Sequence, residues 1–272
     1  MVRIIGIMLL VSAAVLAQDD AEKTTIPLRD PSRPPRIHAH LLAGSITVRG
    51  ADIRNVVVEA NARGHRPFRD RQPTRADGMK RLELPGNAGL EVSEDDNVVS
   101  IKTASWNTPS DLVITVPRHS SLELKCVNNG DIDVEQVDGE LDVNNLNGKI
   151  TLRQVGGSVV AHSLNGAVLA TLDRIDPGKP MSFSTLNGDI DVTLPADVKA
   201  NVLMKTDNGE IYSDFDVKLE AGTRMLPNES GRQPNGRYHV RFDRGMRGTI
   251  NGGGPEFQFT SFNGQIFIRK RK

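Results

Sequence analysis

Apolar residues recur at fixed distances behind a regularly spaced glycine in the middle of the chain. The glycines lie nine residues apart, at Gly130, Gly139, Gly148, Gly157 and Gly166. The residues two and four positions after each of them are apolar throughout, from Ile132 to Ala170. Alternation of apolar and other residues is typical of a β-strand with one buried face. The repeat therefore predicts short strands, each preceded by a glycine.

The residues on the two sides of each glycine distinguish two arrangements of these strands. In an Asn-Gly hairpin, Leu146 and Lys149 would be cross-strand partners on one face, which places Ile150 and Leu152 on the opposite face. A sheet with one buried face cannot bury both apolar sets. A chain that turns a corner at each glycine can point both sets into one interior. The sequence therefore favours a solenoid over a meander of hairpins.

The Asn-Gly pairs give the length of one turn. Asn129, Asn147, Asn165, Asn187 and Asn208 are 18, 18, 22 and 21 residues apart, which suits a coil of two short strands and two corners. We predict an all-β protein, a single-stranded, β-helix-like β-solenoid of stacked coils of about 18–22 residues, with ~4.8 Å between coils.

Asparagine and glycine suit the predicted corners for two reasons. Both tolerate the left-handed backbone of tight corners, and stacked Asn side chains can hydrogen-bond along a row. The predicted corner residues are Asn129, Gly130, Gly139, Asn147, Gly148, Gly157, Asn165, Gly166, Asn187, Gly188, Asn208, Gly209, Asn263 and Gly264.

Composition divides the chain into three parts. Residues 1–17 combine Arg3, an apolar run and small residues near the end, which is typical of a secretory signal peptide; a retained anchor is the alternative. Residues 18–36 are polar and rich in proline, which predicts a linker. Residues 37–272 carry the strand repeats, less regular over 37–116 and regular over 117–272.

Charge and cysteine content narrow the function. Lysine plus arginine equals aspartate plus glutamate at 34 each, so no net field favours nucleic acid as a partner. The arginine-rich segment 61–81 is typical of a solvated loop, with contact to an anionic surface as the alternative. The single cysteine, Cys126, cannot form an internal disulfide and is predicted to be a buried strand residue.

Motifs for catalysis or metal binding are lacking in the sequence. It contains no H-E-x-x-H, G-x-S-x-G or P-loop pattern. His38 and His40 would share one strand face, but a structural metal site needs further ligands. Asp131 and Asp133 fall on the outward phase of a strand and do not reproduce the calcium-binding nonapeptide. We therefore predict no cofactor and no metal site.

Two segments remain candidates for ligand contact. Asp189, Asp191, Glu210 and Asp214 are predicted to form an acidic patch on neighbouring coils, where a cation or sugar could bind; a solvated face is the alternative. The C-terminal segment gathers Phe257, Phe259, Phe262 and Phe267 before four basic residues. We predict that it caps the last coil. Binding to anionic lipid or cell-wall polymer is the alternative.

Two groups of phrases carry a family resemblance. They are LVITVP, LELK and NNGDIDV between residues 112 and 134, and LNGDIDVTLP and VLMKTDNGEI between 186 and 211. With them, residues 37–272 resemble the bacterial putative-adhesin family with β-strand repeats, a domain of unknown function. The resemblance implies a β-solenoid-like domain outside the cytoplasmic membrane. It brings no catalytic residues.

We therefore expect a non-catalytic, exported scaffold or binding module of the periplasm or cell surface, with a protein or glycan partner. After signal cleavage no transmembrane span is expected. One alternative is a carbohydrate-active β-helix enzyme, a polysaccharide lyase or hydrolase, that uses the acidic patch. Another is self-association through the ends of the solenoid.

Overall fold

The computed structural model describes residues 22–62, 90–103, 109–128, 130–220, 231–232, 238–239 and 245–272. Within these ranges the protein is all-β, and they contain no helix suited to crossing a membrane. The predicted signal peptide, Asn129 and most of the arginine-rich segment lie outside them.

The strands are, in chain order, β1 (Glu22–Pro27), β2 (Arg36–Ala43), β3 (Ile46–Ala51), β4 (Asn55–Ala62), β5 (Leu90–Asp95), β6 (Val98–Thr103), β7 (Ser110–Pro117), β8 (Ser121–Asn128), β9 (Ile132–Glu135), β10 (Asp138–Asn147), β11 (Ile150–Asn165), β12 (Val168–Ile175), β13 (Met181–Asn187), β14 (Ile190–Leu194), β15 (Ala200–Asn208), β16 (Ile211–Ser213), β17 (Lys218–Leu219), β18 (Gly231–Arg232), β19 (Tyr238–His239), β20 (Met246–Ile250), β21 (Glu256–Asn263) and β22 (Ile266–Lys270). All except β18 and β19 join one hydrogen-bonded network of 20 strands.

Parallel pairing with a constant offset builds the stack. β10 pairs with β11 so that Leu141 lies beside Val159, and β11 pairs with β12 so that Ile150 lies beside Val168, an offset of 18 residues in both cases. The offset is 22 residues where β11 pairs with β13 and where β12 pairs with β14. These offsets equal the spacing of the Asn-Gly pairs, so each coil stacks directly on the next.

Each coil consists of one strand before a first corner and one strand after it, and in most coils this corner carries an Asn-Gly pair, with Ala43–Gly44 in its place between β2 and β3. The strands before the corner form what we call the front wall, and the strands after it form the back wall. In spatial order the coils are coil 1 (β6, β7), coil 2 (β2, β3), coil 3 (β8, β9), coil 4 (β10, start of β11), coil 5 (end of β11, β12), coil 6 (β13, β14), coil 7 (β21, β22) and coil 8 (β15, β16).

The coils are not stacked in chain order. Coil 2, from residues 36–51, lies between coil 1 and coil 3, and coil 7, from residues 256–270, lies between coil 6 and coil 8. Any coil with the right spacing can form backbone hydrogen bonds with a neighbouring coil. The periodicity of the sequence therefore does not determine which coils are neighbours. The expectation of one continuously wound strand therefore describes coils 3 to 6 but not the ends of the stack.

Antiparallel strands cover both ends of the stack. At one end β1 pairs with β4, β4 with β7, and β5 with β6; at the other end β20 pairs with β15, and β17 with β20. β1 belongs to the segment that was expected to be a linker. Ile26 and Leu28 of this segment are each only 7% exposed, so residues 22–28 are part of the folded stack and the linker expectation does not hold for them.

The aromatic C-terminal segment lies inside the stack rather than over its end. Phe257 and Phe259 are fully buried, and the ring of Phe259 stacks on that of Phe183 with centroids 5.4 Å apart. Phe262 points outward instead. The predicted aromatic cap is therefore wrong, because pairing on both sides makes this segment coil 7 and alternation turns two of its rings into the core.

The interior is a single row of apolar side chains from both walls. All ten residues that were predicted to face inward behind the spaced glycines are buried, from Ile132 to Ala170. Side chains of different size meet along the stack: Phe183 of coil 6 lies beside Ala161 of coil 5 on one side and beside Phe259 of coil 7 on the other. The buried side chains of the described residues form one hydrophobic cluster.

One apolar position was assigned to the wrong side. Leu146, directly before its corner Asn, is 41% exposed on the outside of the front wall. The preceding residue, Asn145, is buried and points inward in its place. Its amide bonds to a backbone carbonyl in the corner, so a polar residue occupies the interior position that the sequence pattern had suggested for an apolar one.

Candidate functional site

The corner glycines form a column with no space for side chains. A Cβ atom on Gly148 would lie 2.1 Å from the carbonyl oxygen of Gly130, and one on Gly166 would lie 2.1 Å from that of Gly148. None of these three glycines has a positive φ, unlike Gly44 at 116°. The glycines are therefore required mainly because the backbones of successive coils approach closely, and the left-handed backbone expected at every corner is wrong for these.

The second corner has a shorter column of the same kind. A Cβ atom on Gly139 would lie 2.3 Å from the carbonyl oxygen of Ser120, and one on Gly157 would lie 2.1 Å from that of Gly139. Here Gly157 does adopt a left-handed backbone, with φ of 99°. The nine-residue spacing thus alternates between the two corners of a coil.

The corner asparagines form a ladder of side-chain hydrogen bonds. With the donor Nδ2 named first and the acceptor Oδ1 second, the bonds join Asn147 to Asn128 (3.2 Å), Asn165 to Asn147 (2.9 Å), Asn187 to Asn165 (2.7 Å), Asn263 to Asn187 (2.8 Å) and Asn208 to Asn263 (2.9 Å). The first rung among the described residues is Asn128, because Leu122 lies beside Leu141 and the offset between β8 and β10 is 19 residues. All these amides point the same way along the stack, so each bond reinforces the next.

A second row of polar side chains lies inside the same corner, two residues before each ladder asparagine. Each donates to a glycine carbonyl of the neighbouring coil: Cys126 to Gly44 (3.0 Å), Asn145 to Gly130 (3.0 Å), Ser163 to Gly148 (3.0 Å), Thr185 to Gly166 (2.9 Å), Ser261 to Gly188 (3.1 Å) and Thr206 to Gly264 (2.9 Å). These donors satisfy carbonyl groups at the buried side of the corner. The buried thiol of Cys126 therefore takes the place of a hydroxyl group.

Aspartates directly after the corner bind backbone N–H groups of the adjacent coil. Ser45, Lys149 and Gln265 donate their backbone N–H to the carboxylates of Asp111 (2.9 Å), Asp131 (2.8 Å) and Asp189 (2.8 Å), respectively. Lys149 reaches Asp131 with its ammonium group only at 4.0 Å. The main role of these aspartates is therefore to join coils, with surface ion pairing secondary.

The predicted acidic patch is not assembled. Its four members are Asp189, Asp191, Glu210 and Asp214. Coil 7 lies between the coils that carry them, and its Arg269 binds both carboxylate oxygens of Asp191 at 2.7 and 2.9 Å. This contact raises the pKa of the Arg269 guanidinium. Asp214 accepts the backbone N–H of Lys270 at 3.2 Å. The expectation that these residues share neighbouring coils is wrong because it placed the C-terminal segment at the end of the stack.

His38 and His40 lie on one strand face, as expected, but both face a carboxylate. Their Nε2 atoms are 3.5 and 3.6 Å from the carboxylate of Glu123, which also binds Lys125 at 2.5 Å. Lys125 lowers the pKa of Glu123, and burial followed by Lys125 lowers the pKa of His40. In the described ranges no three His, Cys, Asp or Glu side chains are grouped to hold a metal ion.

An apolar row runs along the outside of the front wall beside the Asn ladder. Its members occupy the position directly before the ladder residues of coils 3 to 7, or before the equivalent Ala43 of coil 2, and we call them the front row: Leu42, Val127, Leu146, Leu164, Leu186 and Phe262. In coil 8 this position is Asp207, which is charged. Leu146, Leu186 and Phe262 are 40–46% exposed. Sequence reasoning missed the row, because alternation assigns the polar residue before Leu146, Leu186 or Phe262 to the outside and the apolar residue to the core.

The front wall beyond this row is mostly uncharged over coils 5 to 7, with Glu256 of coil 7 as its one charged outward residue in the described strands. Its outward residues there include Ser158, Val160, His162, Ser182, Ser184, Gln258 and Thr260. His162 shares a 2.8 Å hydrogen bond with Ser184, and Val160 is 46% exposed. Together with the front row, this surface forms what we call the front face.

The back wall is different. Its outward residues form ion pairs between coils, including Arg153 with Asp133 at 3.3 Å and Arg269 with Asp191 at 2.7 Å. Paired charges are typical of a sheet that faces water, whereas a neutral surface with exposed apolar side chains is typical of one that meets a partner.

Two cavities on the second-corner side of the stack have paired charges. One of about 480 Å³ includes Lys199, and one of about 380 Å³ includes His119; both are lined by Asp173 and Arg174. Arg174 and His119 both contact the carboxylate of Asp138, at 2.5 and 3.4 Å. Arg174, which lines both cavities, is thus already paired, and the front face is the better candidate for a binding surface.

Comparison with known proteins identifies a family. The Toastrack DUF4097 family model matches residues 86–251, more than half of the chain. The chain is similar to a "putative cell adhesion protein" from Clostridium sporogenes, at 10% identity and a TM-score of 0.44 over 92% of this chain and 100% of that one. It is also similar to a "putative adhesin" from Bacteroides fragilis, at 11% identity and a TM-score of 0.35 over 92% and 97% of the two chains. None of the curated proteins compared with the chain matches it. The family match shows that this chain belongs to the Toastrack DUF4097 family.

Proposed function

We propose that the protein is a non-catalytic binding module of the cell envelope or cell surface, and that the front face is its binding surface. The observation that supports this most directly is the front row, an apolar line exposed to water beside a continuous ladder of amides. Apolar surface of this kind gains about 25 cal/mol per Å² when a partner covers it. Export is proposed from the composition of residues 1–17.

The shape of the front face favours an extended partner. Equivalent side chains repeat every ~4.8 Å along the stack, and the wall is built of parallel strands without a deep cleft on this side. The fold proposed for this role is a β-solenoid in which coil 2 and coil 7 are inserted out of chain order. A glycan chain or a flat protein surface of neutral character could contact several coils at once.

The alternative, a carbohydrate-active enzyme, depended on the acidic patch. Coil 7 binds three carboxylates of that patch, those of Asp189, Asp191 and Asp214, so these groups join coils instead of converging on a shared site. Self-association through the ends of the stack remains a separate alternative. It would appear as a mass that rises with concentration in light scattering.

A paired set of variants tests the binding surface. The test variant carries Leu146→Ser, Leu186→Ser and Phe262→Ser, and the control carries Leu219→Ser and Met246→Ser, which are 60% and 41% exposed away from the front face. On a glycan array and on immobilised envelope proteins, we expect the test variant to lose the binding that the unmodified protein and the control show. Equal binding by all three proteins would overturn the assignment of the surface.

Catalysis is tested on the same ligands. A reducing-sugar assay should find no product from any glycan that binds. Release of product that disappears in an Asp189→Ala variant would contradict the non-catalytic assignment and favour the enzyme.

A further inference from the structure

The corner glycines donate their backbone N–H groups from one coil to the next. The acceptor is always the carbonyl of a ladder asparagine: Gly44 to Asn128 (3.1 Å), Gly148 to Asn165 (3.0 Å), Gly166 to Asn187 (3.0 Å), Gly188 to Asn263 (2.9 Å) and Gly264 to Asn208 (3.1 Å). Every bond points towards coil 8. In the described part of the chain, no coil lies beyond coil 8 to accept the N–H of its own glycine, Gly209.

Among the described residues, the surroundings of Gly209 place it at an open end of the stack. β20 covers β15 only from Ala200 to Met204, so Asn208 and Gly209 lie beyond that pairing. Among the described residues, none accepts the Gly209 N–H. Gly209 is exposed, whereas Gly148 and the other corner glycines of coils 4 to 7 are half-buried.

The side chain of Asn208 also forms fewer hydrogen bonds in the ladder than the asparagine side chains of coils 4 to 7. Asn165, for example, donates to one neighbour in the ladder and accepts from another. Asn208 donates to Asn263, but no residue in the described part of the chain donates to its own side-chain oxygen. Asn208 is thus the one ladder asparagine after Asn128 that is fixed from a single side.

An Asn-Gly pair is chemically reactive when the glycine N–H is not hydrogen-bonded and the asparagine side chain is bound on one side only. The backbone nitrogen of the glycine, once it has lost its proton, attacks the side-chain amide carbon of the asparagine. A C–N bond forms, the amide nitrogen leaves as ammonia, and a five-membered succinimide results. Water then opens either carbonyl of the ring and gives aspartate or isoaspartate. The reaction needs no other reactant, and it is fastest before glycine because no Cβ hinders the attack.

We propose that Asn208–Gly209 is a site of spontaneous deamidation and that the stack protects the equivalent pairs at Asn147, Asn165, Asn187 and Asn263. In the protected pairs the glycine N–H is bound to the next coil and the amide is bound on both sides. Reaction there requires local opening of the stack, whereas at Asn208 it does not.

The product would disturb the end of the stack. Aspartate at this position lacks the Nδ2 donor that binds Asn263. Isoaspartate adds a carbon to the main chain at a corner that is already tightly packed, since even a Cβ on Gly209 would lie 2.0 Å from the Gly264 carbonyl oxygen. Deamidation should therefore loosen coil 8 before any other coil.

The test is a time course of the folded protein in alkaline buffer made with ¹⁸O-labelled water, followed by proteolysis and mass spectrometry. We expect Asn208 to convert with incorporation of label, on the order of tenfold or more faster than Asn165 or Asn187. In guanidinium chloride, where the stack is unfolded, the ladder pairs should convert at similar rates. Equal rates for Asn208 and Asn165 in the folded protein, or conversion of Asn208 only after unfolding, would overturn the proposal.

An Asn208→Gln variant separates the chemistry from the structure. Glutamine keeps an amide at this position but forms a cyclic imide much more slowly, so labelling of this peptide should disappear. Circular dichroism of the variant checks that the fold is retained. Labelling that persists at residue 208 in the folded variant would show that a different route is responsible.

Discussion

Asn165 and Asn187 are 22 residues apart in the sequence, yet Asn187 donates to Asn165 through a 2.7 Å hydrogen bond that is equivalent to the bond between Asn165 and Asn147, 18 residues apart. The extra residues of the longer repeat leave the ladder undisturbed because they lie at the second corner, where Asp176 to Lys179 form a turn. The Asn-Gly corner thus sets the register, and the opposite corner absorbs differences in coil length.

Because Ile150 points into the core and Lys149 points outward, substitutions at these two neighbouring positions should change the stability by different amounts. Ile150 is fully buried, so Ile150→Asp places an unpaired charge in the core and should unfold several coils, at a cost of at least about 4 kcal/mol. The Lys149 side chain is 42% exposed with a 4.0 Å ion pair, so Lys149→Ala should change stability by less than about 0.5 kcal/mol. Thermal unfolding by circular dichroism measures both. Similar melts for the two variants would contradict the assignment.

The cysteine is predicted to act as a hydrogen-bond donor. Cys126→Ser keeps a donor for the Gly44 carbonyl and should be tolerated, whereas Cys126→Val leaves that carbonyl without its partner and should cost about 1–3 kcal/mol. Guanidinium titrations of the two variants provide the comparison. If valine proved as stable as serine, packing rather than the hydrogen bond would explain this residue.

The column of corner glycines predicts that a larger residue there destabilises the fold by steric clash and not by backbone strain. A Gly148→Ala variant would bring a Cβ to 2.1 Å from the Gly130 carbonyl oxygen, and the coils must separate to accept it. We expect a loss of about 1–3 kcal/mol, typical of overpacking. Gly178→Ala is the control, because no atom lies within 4 Å of its added Cβ. Equal stability of the two variants in urea titrations would argue against the column.

Acidification should weaken the cluster around Glu123. The pKa of His40 is lowered from its ordinary 6.5, first by burial and then by Lys125. Because the unfolded chain binds this proton more readily, the associated stability is present above pH 6.5 and is lost as the pH falls towards the lowered pKa of the folded state. Glu123, whose pKa is lowered chiefly by the hydrogen bond from Lys125, adds a further loss below its ordinary 4.5.

The measurement is the melting temperature as a function of pH for the unmodified protein and for His40→Gln. The variant should lose the decline that begins near pH 6.5 and keep the one at lower pH. His162→Gln, at an exposed position that bonds to Ser184, is the control. A decline that remains unchanged in His40→Gln would assign the pH dependence to other groups.

The sequence predicted the interior of the stack well and its order poorly. Ile150 and Leu152 could be assigned to the core because alternation leaves only one face for apolar residues. The position of Phe259 beside Phe183 could not be predicted, because coils with the same pattern are interchangeable as neighbours. The repeat period predicts the length and shape of one coil, but it does not predict which coil lies beside it.

The front face could not be predicted from the sequence for a related reason. Leu146 is apolar and Asn145 is polar, so a hydrophobic pattern alone assigns them to the wrong sides. Only the glycine carbonyl that Asn145 binds explains the inversion, and that carbonyl belongs to a residue 15 positions earlier in the chain. The acidic patch failed likewise, because Arg269 comes from a segment 78 residues beyond Asp191.

The insertion of coil 7 between coils 6 and 8 also constrains biosynthesis. Residues 200–213 leave the ribosome before residues 256–270, yet the later segment must lie between the earlier one and coil 6. A nascent chain therefore cannot finish this part of the core coil by coil. The backbone groups on one side of β14 and β16 wait for partners until Ile266 to Ile268 have been translated, and during that interval a chaperone or another strand could occupy the gap.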